Sequence, residues 1–569
     1  MSVGRKIANA ALSLLIGQGL LTVLNIFIVH LYYRHLSDEE RSIWFMLSQL
    51  YIFLPIFDFG IGFTLTRRFA LRRQDAAPNT TAASPGATVG TDSPAAAPGA
   101  GKTGAQPDAS AADAAMALSD TLIPGVAQAV GLTDTSVNDM VATGLWLYRF
   151  LPLAVLVLGG GIGCILFSFV HMTTMSHGSV YLTWLIVCAS MAMISSSSLW
   201  VYLLQGTGYV AHSQWLLSLM RIGMFLMQIG VLMIGGRLLD MALLQIVAAL
   251  GFHLMATRWV RKLLPPSAWE GGRWNATFAR SIVRPAFQAW LVTLGAFLVL
   301  RTDQYFIALK GQSGLTLVAD YSAMYLIVSK LFQVANAIAN VSSVFVSKKW
   351  AMGDLAGIHA IVRRNLRIGL GTMVAGTAFL MFFGEPLFTL WIGKGHYVGL
   401  SILLIFCVML TLEAQHAIVN FAARATEDEV YGPWAIGAGI LNLILTSIFI
   451  QFWGLWGVAM ATLVSQLVTN NWYGVYRGFK RMQMRFRDHV TAVLLPLAAL
   501  FTILCSVSYG LLHASEIATS HLWLRLAMGA AGIGFGLAGY FWFFALMPSD
   551  RNRILARFHS SKTATSAES

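Results

Sequence analysis

Charge is what this sequence has least of. Asp, Glu, Lys and Arg make up 11% of its 569 residues against 57% hydrophobic, and the mean hydropathy is +0.67. So little charged surface excludes an ordinary soluble domain, and so much apolar sequence exceeds what one core can take up. The chain reads as an all-α, polytopic membrane protein. Cysteine is scarce too. The four cysteines, Cys164, Cys188, Cys407 and Cys505, all fall inside apolar segments without C-x-x-C spacing, which excludes a disulfide framework or a zinc site. Catalytic patterns are missing: there is no H-E-x-x-H, no G-x-S-x-G and no pair of carboxylates in a soluble loop, so neither an enzyme nor a metal or cofactor is expected. GAGKT at 99–103 imitates a phosphate loop, but its leading position is Ala96 and no strand precedes it. GFGLAG at 534–539 lies in an apolar run, where small residues let helices approach closely.

The apolar runs are what is present. By the measure of about 20 residues per span there are about fourteen, near 7–33, 43–66, 145–169, 179–204, 213–234, 238–259, 286–309, 318–346, 366–384, 398–421, 433–452, 455–475, 490–513 and 523–546. The formal charge of +13 sits in short clusters at their ends, the pattern of a topology signal, and no nucleic-acid partner is implied. Within 54–73, an apolar run containing Asp58 stops at Arg67, Arg68, Arg72 and Arg73, which anchors the end of span two on the cytoplasmic side. Numbered from the inside, the other cytoplasmic loops are basic at 258–284, 348–367, 424, 477–487 and 551–562; the loop at 206–211 is merely short. Both termini are therefore expected in the cytoplasm. Arg5 and Lys6 ahead of an apolar run imitate a signal peptide, but the run reaches Tyr33 without a cleavage site, so it is read as a retained span.

Residues 75–134 shift to Ala, Pro, Gly, Ser and Thr and are read as a disordered cytoplasmic insertion, which also holds the GAGKT imitation. Six spans precede the basic loop at 258–284, six more run to 477–487, and two follow. Spans two and eight both end in a basic doublet, Arg67-Arg68 and Lys348-Lys349. Parallel repeats are the expected organisation: a six-helix lobe at 1–260, a second at 261–480, and two further helices with a tail at 481–569. The sequon at Asn275 falls in a cytoplasmic loop and carries no expectation.

Several stretches resemble a family. HLSDEERSIWFMLSQLYIFLPIFDFGIGFTLTRRFA at 35–70 is similar to the first loop and second span of oligosaccharide-lipid flippases of the O-antigen (Wzx) type, within the exporter superfamily that includes the MATE transporters. RTDQYFIAL at 301–309, VADYSAMYLIVSKL at 318–331, LFTLWIG at 387–393 and FWGLWGVAMATLVSQ at 452–466 resemble its later spans and turns. The resemblance implies a two-lobed transporter that moves polyprenyl-pyrophosphate-linked oligosaccharide between leaflets by alternating access, with membrane lipids and polysaccharide polymerase or ligase machinery as partners. A cation-coupled multidrug exporter on the same fold, or a membrane glycan polymerase or ligase, are the alternatives.

Such a reaction takes a glycan and a pyrophosphate across about 30 Å of hydrocarbon, which requires a polar interior. Arg221 in span five, Arg301 in span seven and Lys330 in span eight are its cationic candidates, with intramembrane ion pairs as the competing reading. Arg301 and Asp303, two apart on a helix, are expected to point in nearly opposite directions. Gln18, Thr22 and Asn25 form a polar stripe on span one; Gln333, Asn336 and Asn340 continue one from Lys330. These are the glycan-facing candidates, interhelical hydrogen bonding being the alternative. Asp58, Asp303, Glu413 and His416 are the candidates for a coupling ion or proton relay.

Overall fold

A chain in hydrocarbon must satisfy its backbone polar groups internally, which leaves helices as the solution for apolar runs of this length. The computed structural model describes residues 3–52, 54–62, 64–66, 68–69, 136–310, 312–426, 432–514, 521–545 and 551–552. At 3–18, 49–52, 54–55, 312–313, 341, 344, 351 and 514 only the backbone is described. The insertion at 75–134 and its GAGKT imitation lie outside the described residues.

The described residues form helices throughout: α1 (Val3–His35), α2 (Asp38–Ile52), α3 (Leu54–Phe57), α4 (Val137–Ser168), α5 (His177–Gly206), α6 (Val210–Met233), α7 (Leu238–Leu263), α8 (Ala276–Leu300), α9 (Asp303–Ala308), α10 (Gln312–Ala351), α11 (Leu355–Ile392), α12 (Leu400–Arg424), α13 (Gly432–Gln466), α14 (Trp472–Arg481), α15 (Phe486–His513) and α16 (Leu522–Tyr540). Eleven helical stretches among the described residues are long and apolar enough to cross a membrane. One of them, Gly432–Arg481, crosses twice. Gly454 breaks α13 with φ 55°, and Ser465 reaches back to Asn442 at 3.4 Å, so the chain reverses there. With α1 and the interrupted second span, the count of about fourteen passages is met.

The second span breaks where its sequence allows it. Phe59 and Gly60 take φ 50° and 72°, and helix resumes at Ile61. Gly60 also lies so close to the α8 backbone that a Cβ would collide with the Ala286 carbonyl, so position and conformation both require glycine. The break frees carbonyls, and the Trp290 indole N–H donates to that of Ile56 at 2.9 Å.

Packing falls into two sets. In the first, α1 lies on α6, α6 and α5 on α7, and α4 on α5; in the second, α8 lies on α13 and α10, α11 and α12 on one another, with α15 and α16 against α11. The loops sort onto two faces. On one, the Arg273 N–H donates to Asp139 (2.8 Å), His359 bonds the Met482 carbonyl (2.7 Å) and Arg481 donates to the Thr426 carbonyl (2.8 Å). This is the basic face. On the opposite face Glu39 accepts from Thr173 and Thr174, and Lys310 donates to the Ile450 carbonyl (2.9 Å).

Candidate functional site

The SDEER segment that carries much of the family resemblance is a structural knot on the opposite face. Ser37 and Glu40 form a reciprocal capping box at the start of α2: the Ser37 N–H donates to the Glu40 carboxylate at 3.1 Å, and the Glu40 N–H to the Ser37 hydroxyl at 3.3 Å. Glu39 accepts from the N–H and hydroxyl of both Thr173 and Thr174. Burial raises the Glu39 carboxyl, but these hydrogen bonds outweigh burial and hold it at about 2. Arg41 is buried, pairs with Asp38 at 2.7 Å and lies over the Tyr33 ring at 3.9 Å.

Beside that knot the two packing sets are tied together. The Tyr33 hydroxyl on α1 donates to Asp320 on α10 at 2.8 Å, and His396, after α11, meets the same carboxylate at 3.1 Å. Trp391 on α11 donates to the Ile26 carbonyl at 2.8 Å, and His30 bonds the Trp391 carbonyl. Nearly every residue from Glu39 to Leu47 and from Val318 to Ser329 is buried there. Asp320 was not singled out from the sequence. An acid inside an apolar run was the available signal.

Toward the basic face the same helices carry exposed side chains. Leu20, Val23 and Phe27 on α1 are exposed, and Gln333 and Asn340 on α10 are exposed although both lie in a membrane-length helix. Here the cations converge. Lys330 is half-buried and within electrostatic range of both Arg301 and Arg221. Arg301 lies over the Tyr325 ring at 5.6 Å, and Tyr325 also senses the charge of Glu413. Arg221, on α6, is exposed. Three positive charges from α6, the α8–α9 junction and α10, drawn from both packing sets, thus lie within electrostatic range of one another around Lys330. Lys330 forms no ion pair among the described residues; it reaches Gln333 at 3.5 Å.

Asn336 departs from the stripe expected on α10. At about 100° per residue, Gln333 and Asn340 fall within about 20° of each other, while Asn336 lies on the flank away from Lys330. It is buried, and its amide donates to the Phe332 carbonyl at 3.0 Å. On α1, Asn25 is half-buried with its Oδ1 lacking a hydrogen-bond partner, and the side chain of Gln18 lies outside the described residues. Glu413 and His416 meet at 3.3 Å, and Asn420 donates to the other imidazole nitrogen at 2.5 Å.

Arg301 and Asp303 do not share a helix, so the two-apart spacing does not fix their directions, and Arg301 lies within electrostatic range of Asp303. Arg301 caps α8, and α9 starts anew at Asp303. Asp303 is buried and accepts from the Tyr321 hydroxyl (2.9 Å) and from Thr462 (3.1 Å to each oxygen). Asn442 stands beside it, held by the Leu298 carbonyl (3.0 Å), with Thr446 and Ser465 directed at its Oδ1. Carboxylate, amide and hydroxyl oxygens from α9, α10 and α13 make this a hard-cation or proton environment. Thr462, Asn442 and Thr446 went unread in the sequence; Asn442 and Thr446, at i and i+4 in an apolar span, were the legible signal. Asp58, by contrast, sits at the break in span two, where it accepts from the Gly62 N–H (2.8 Å) and from Tyr148, so helix capping occupies it. Asn275 likewise caps α8, accepting from Phe278 at 2.9 Å.

No protein-family model matches the sequence, and no curated protein does. Solved structures match in fold, and their class is that of helical membrane transporters. A lipid II flippase, MurJ, in an inward closed conformation aligns with a TM-score of 0.63 at 12% identity, over 93% of this chain and 98% of its own. An inward-facing multidrug resistance MATE transporter of the MOP superfamily aligns at 0.61 and 13% identity, over 83% and 98%. A MOP superfamily transporter from Pyrococcus furiosus gives 0.52 at 13% identity, over 84% and 95%. At these identities the likeness is one of fold, and it is the MATE-like fold that the family resemblance implied.

Proposed function

We propose that this protein turns polyprenyl-pyrophosphate-linked oligosaccharide from the cytoplasmic to the outer leaflet of a bacterial inner membrane, for surface polysaccharide such as O-antigen, capsule or exopolysaccharide. The observation that supports this best is that Arg221 and Arg301, from the two packing sets, both lie within electrostatic range of Lys330. Three cations held together inside a membrane repel one another and lose hydration, and an anionic group between them relieves both costs. Pyrophosphate fits: guanidinium groups grip its oxygens in pairs, lysine adds a point charge, and the lipid tail stays in hydrocarbon. Gln333, Asn340 and Asn25 then offer neutral donors and acceptors to sugar hydroxyls. The same cations disfavour the cationic drugs of a multidrug exporter.

In this reading the lobes are 1–260 and 261–480, the basic face is cytoplasmic, and the sealed Tyr33–Asp320–His396 seam faces outward. The oxygen cluster around Asp303 takes the coupling cation or proton, one helical step from Arg301. Reconstituted vesicles loaded with a short-chain polyprenyl-pyrophosphate oligosaccharide test the proposal, with an impermeant lectin reporting sidedness. Lectin access should rise with time; a change in glycan length without a change in sidedness would identify a polymerase or ligase instead.

A further inference from the structure

A basic chamber lies apart from Arg221, Arg301 and Lys330, on the basic face between the start of α11 and the turn that joins α14 to α15. His359, Arg363 and Leu366 form one wall, Gln483 to Arg485 with Asp488, His489 and Val493 the other, around a cavity of about 120 Å³. A single water needs roughly 10–15 Å³ by the same measure, so there is room for a polyatomic ligand. The turn is built for the purpose of facing inward: Gln483 adopts φ 55°, and the Met484 N–H closes onto the Phe479 carbonyl at 2.8 Å. His489 lines the cavity, is 2% exposed, and neither of its ring nitrogens has a hydrogen-bond partner. Phe479 and Phe486 flank its ring at 5.2 and 5.9 Å, which leaves the nitrogens no protein partner to turn to. His359 spends one nitrogen on the Met482 carbonyl at 2.7 Å. Asp488 is the one acid on the wall, against Arg363 and Arg485.

We propose that this chamber binds the phosphate of an anionic phospholipid, with Arg363 and Arg485 as charged donors and His489 as the buried donor. Burying an imidazole without a partner costs free energy, and a phosphate oxygen is an acceptor that removes that cost. The source of the phosphate is set by depth. Phe486, which follows the lining residue Arg485 in the chain, is 60% exposed and Tyr476, on the preceding helix, 56%, as aromatic residues are at a membrane interface, and basic pockets between helices on the cytoplasmic side suit lipid headgroups. The inference rests on the cytoplasmic assignment of the basic face but not on the identity of the transported molecule. A lipid held there ties the last two helices to α11.

The test uses the delipidated full chain in detergent, with thermal unfolding followed as dihexanoyl phosphatidylglycerol, dihexanoyl phosphatidylcholine or inorganic phosphate is added. Phosphatidylglycerol should stabilise the protein more than the zwitterionic lipid. Arg363→Gln and Arg485→Gln should each weaken its binding roughly 10-fold, the scale of one charge-assisted hydrogen bond. His489→Phe keeps the ring packing and should weaken it as well, while Arg273→Gln, a cation on the same face outside the chamber, should not. Equal binding by the arginine variants and the parent overturns the site. Stabilisation by inorganic phosphate alone overturns the lipid as its source.

Discussion

The two halves of α10 differ more than any two neighbouring regions of the molecule. From Val318 to Ser329 nearly every side chain is buried, and Asp320 is fixed by a hydroxyl and an imidazole from α1 and the end of α11. From Gln333 to Ser347 the polar side chains of Gln333, Asn340 and Ser347 stand exposed, and above them Lys330 forms no ion pair among the described residues and reaches Gln333 at 3.5 Å. One helix thus serves a sealed seam at one end and an open polar surface at the other. The difference teaches where each kind of polar group is put: at the seam, acids and hydroxyls satisfy one another; in the open half, exposed amides lie beside like charges that are within electrostatic range of one another. A seam made of a few hydrogen bonds is the sort of contact that can be exchanged for an equivalent one elsewhere, as alternating access requires.

The open half breaks most completely if its charge is removed. Replacing Arg301 and Lys330 together by Ala should reduce leaflet reorientation on the order of 100-fold or more, at about 10-fold for each charge-assisted contact. Membrane insertion should be unchanged. The lectin-access assay reads the first and protease protection of the loops the second; transport at the parental rate would dismiss the anion-binding role. Next comes Asp303→Asn, which keeps an acceptor for Tyr321 and Thr462 but removes the charge. Transport should fall roughly 10-fold, and its dependence on an imposed proton or sodium gradient should vanish. A gradient response that survives the substitution places coupling elsewhere, with Glu413 and His416 next in line.

Much of this was legible beforehand, for physical reasons. Long apolar runs in a low-charge chain announce membrane helices. Single cations inside such runs are expensive enough to stand out, and Arg221, Arg301 and Lys330 prove to be close together in space. What sequence could not supply was which neighbour each polar group meets. Asp58 and Asp303 look alike as letters in apolar surroundings, yet one caps a broken helix and the other gathers oxygens from three elements. Asn336 belongs to a polar stripe by spacing and bonds its own helix in fact. The seam was illegible because its members, Tyr33, Asp320 and His396, lie 287 and 76 residues apart in the chain and meet through packing.

The seam itself can be loosened selectively. Asp320→Asn weakens the contacts with Tyr33 and His396, each worth about 1 kcal/mol, with more for charged partners. The population open on that face should therefore rise by about 5- to 10-fold. A cysteine introduced at Ser322, buried behind the seam in the parent, should then react faster with an impermeant maleimide added from outside. Unchanged labelling would mean that the seam is held by apolar packing of α2 and α10 alone. Tyr33→Phe, which leaves the His396 contact in place, should do less.

The smallest effect is one that neutral pH hides. Glu39 lies ahead of span two and is held at about 2 because hydrogen bonds from Thr173 and Thr174 outweigh its burial. A carboxylate whose folded value lies below the unfolded one of about 4.3 stabilises the fold fully above that value. The contribution shrinks as pH falls through the window from about 4.3 to 2, because the unfolded state takes up its proton first. Lowering the pH through this window should therefore cost the parent more stability than Glu39→Gln, which has no proton to gain. The two unfolding curves should converge at the acid end. At neutral pH the variant should still transport, since Glu39 anchors the loop at 173–175 and touches neither the seam carboxylate nor the cations. Parallel curves across the whole window would show that the loop is held by its apolar neighbours, and that the sealed half owes its rigidity to packing more than to this knot of hydrogen bonds.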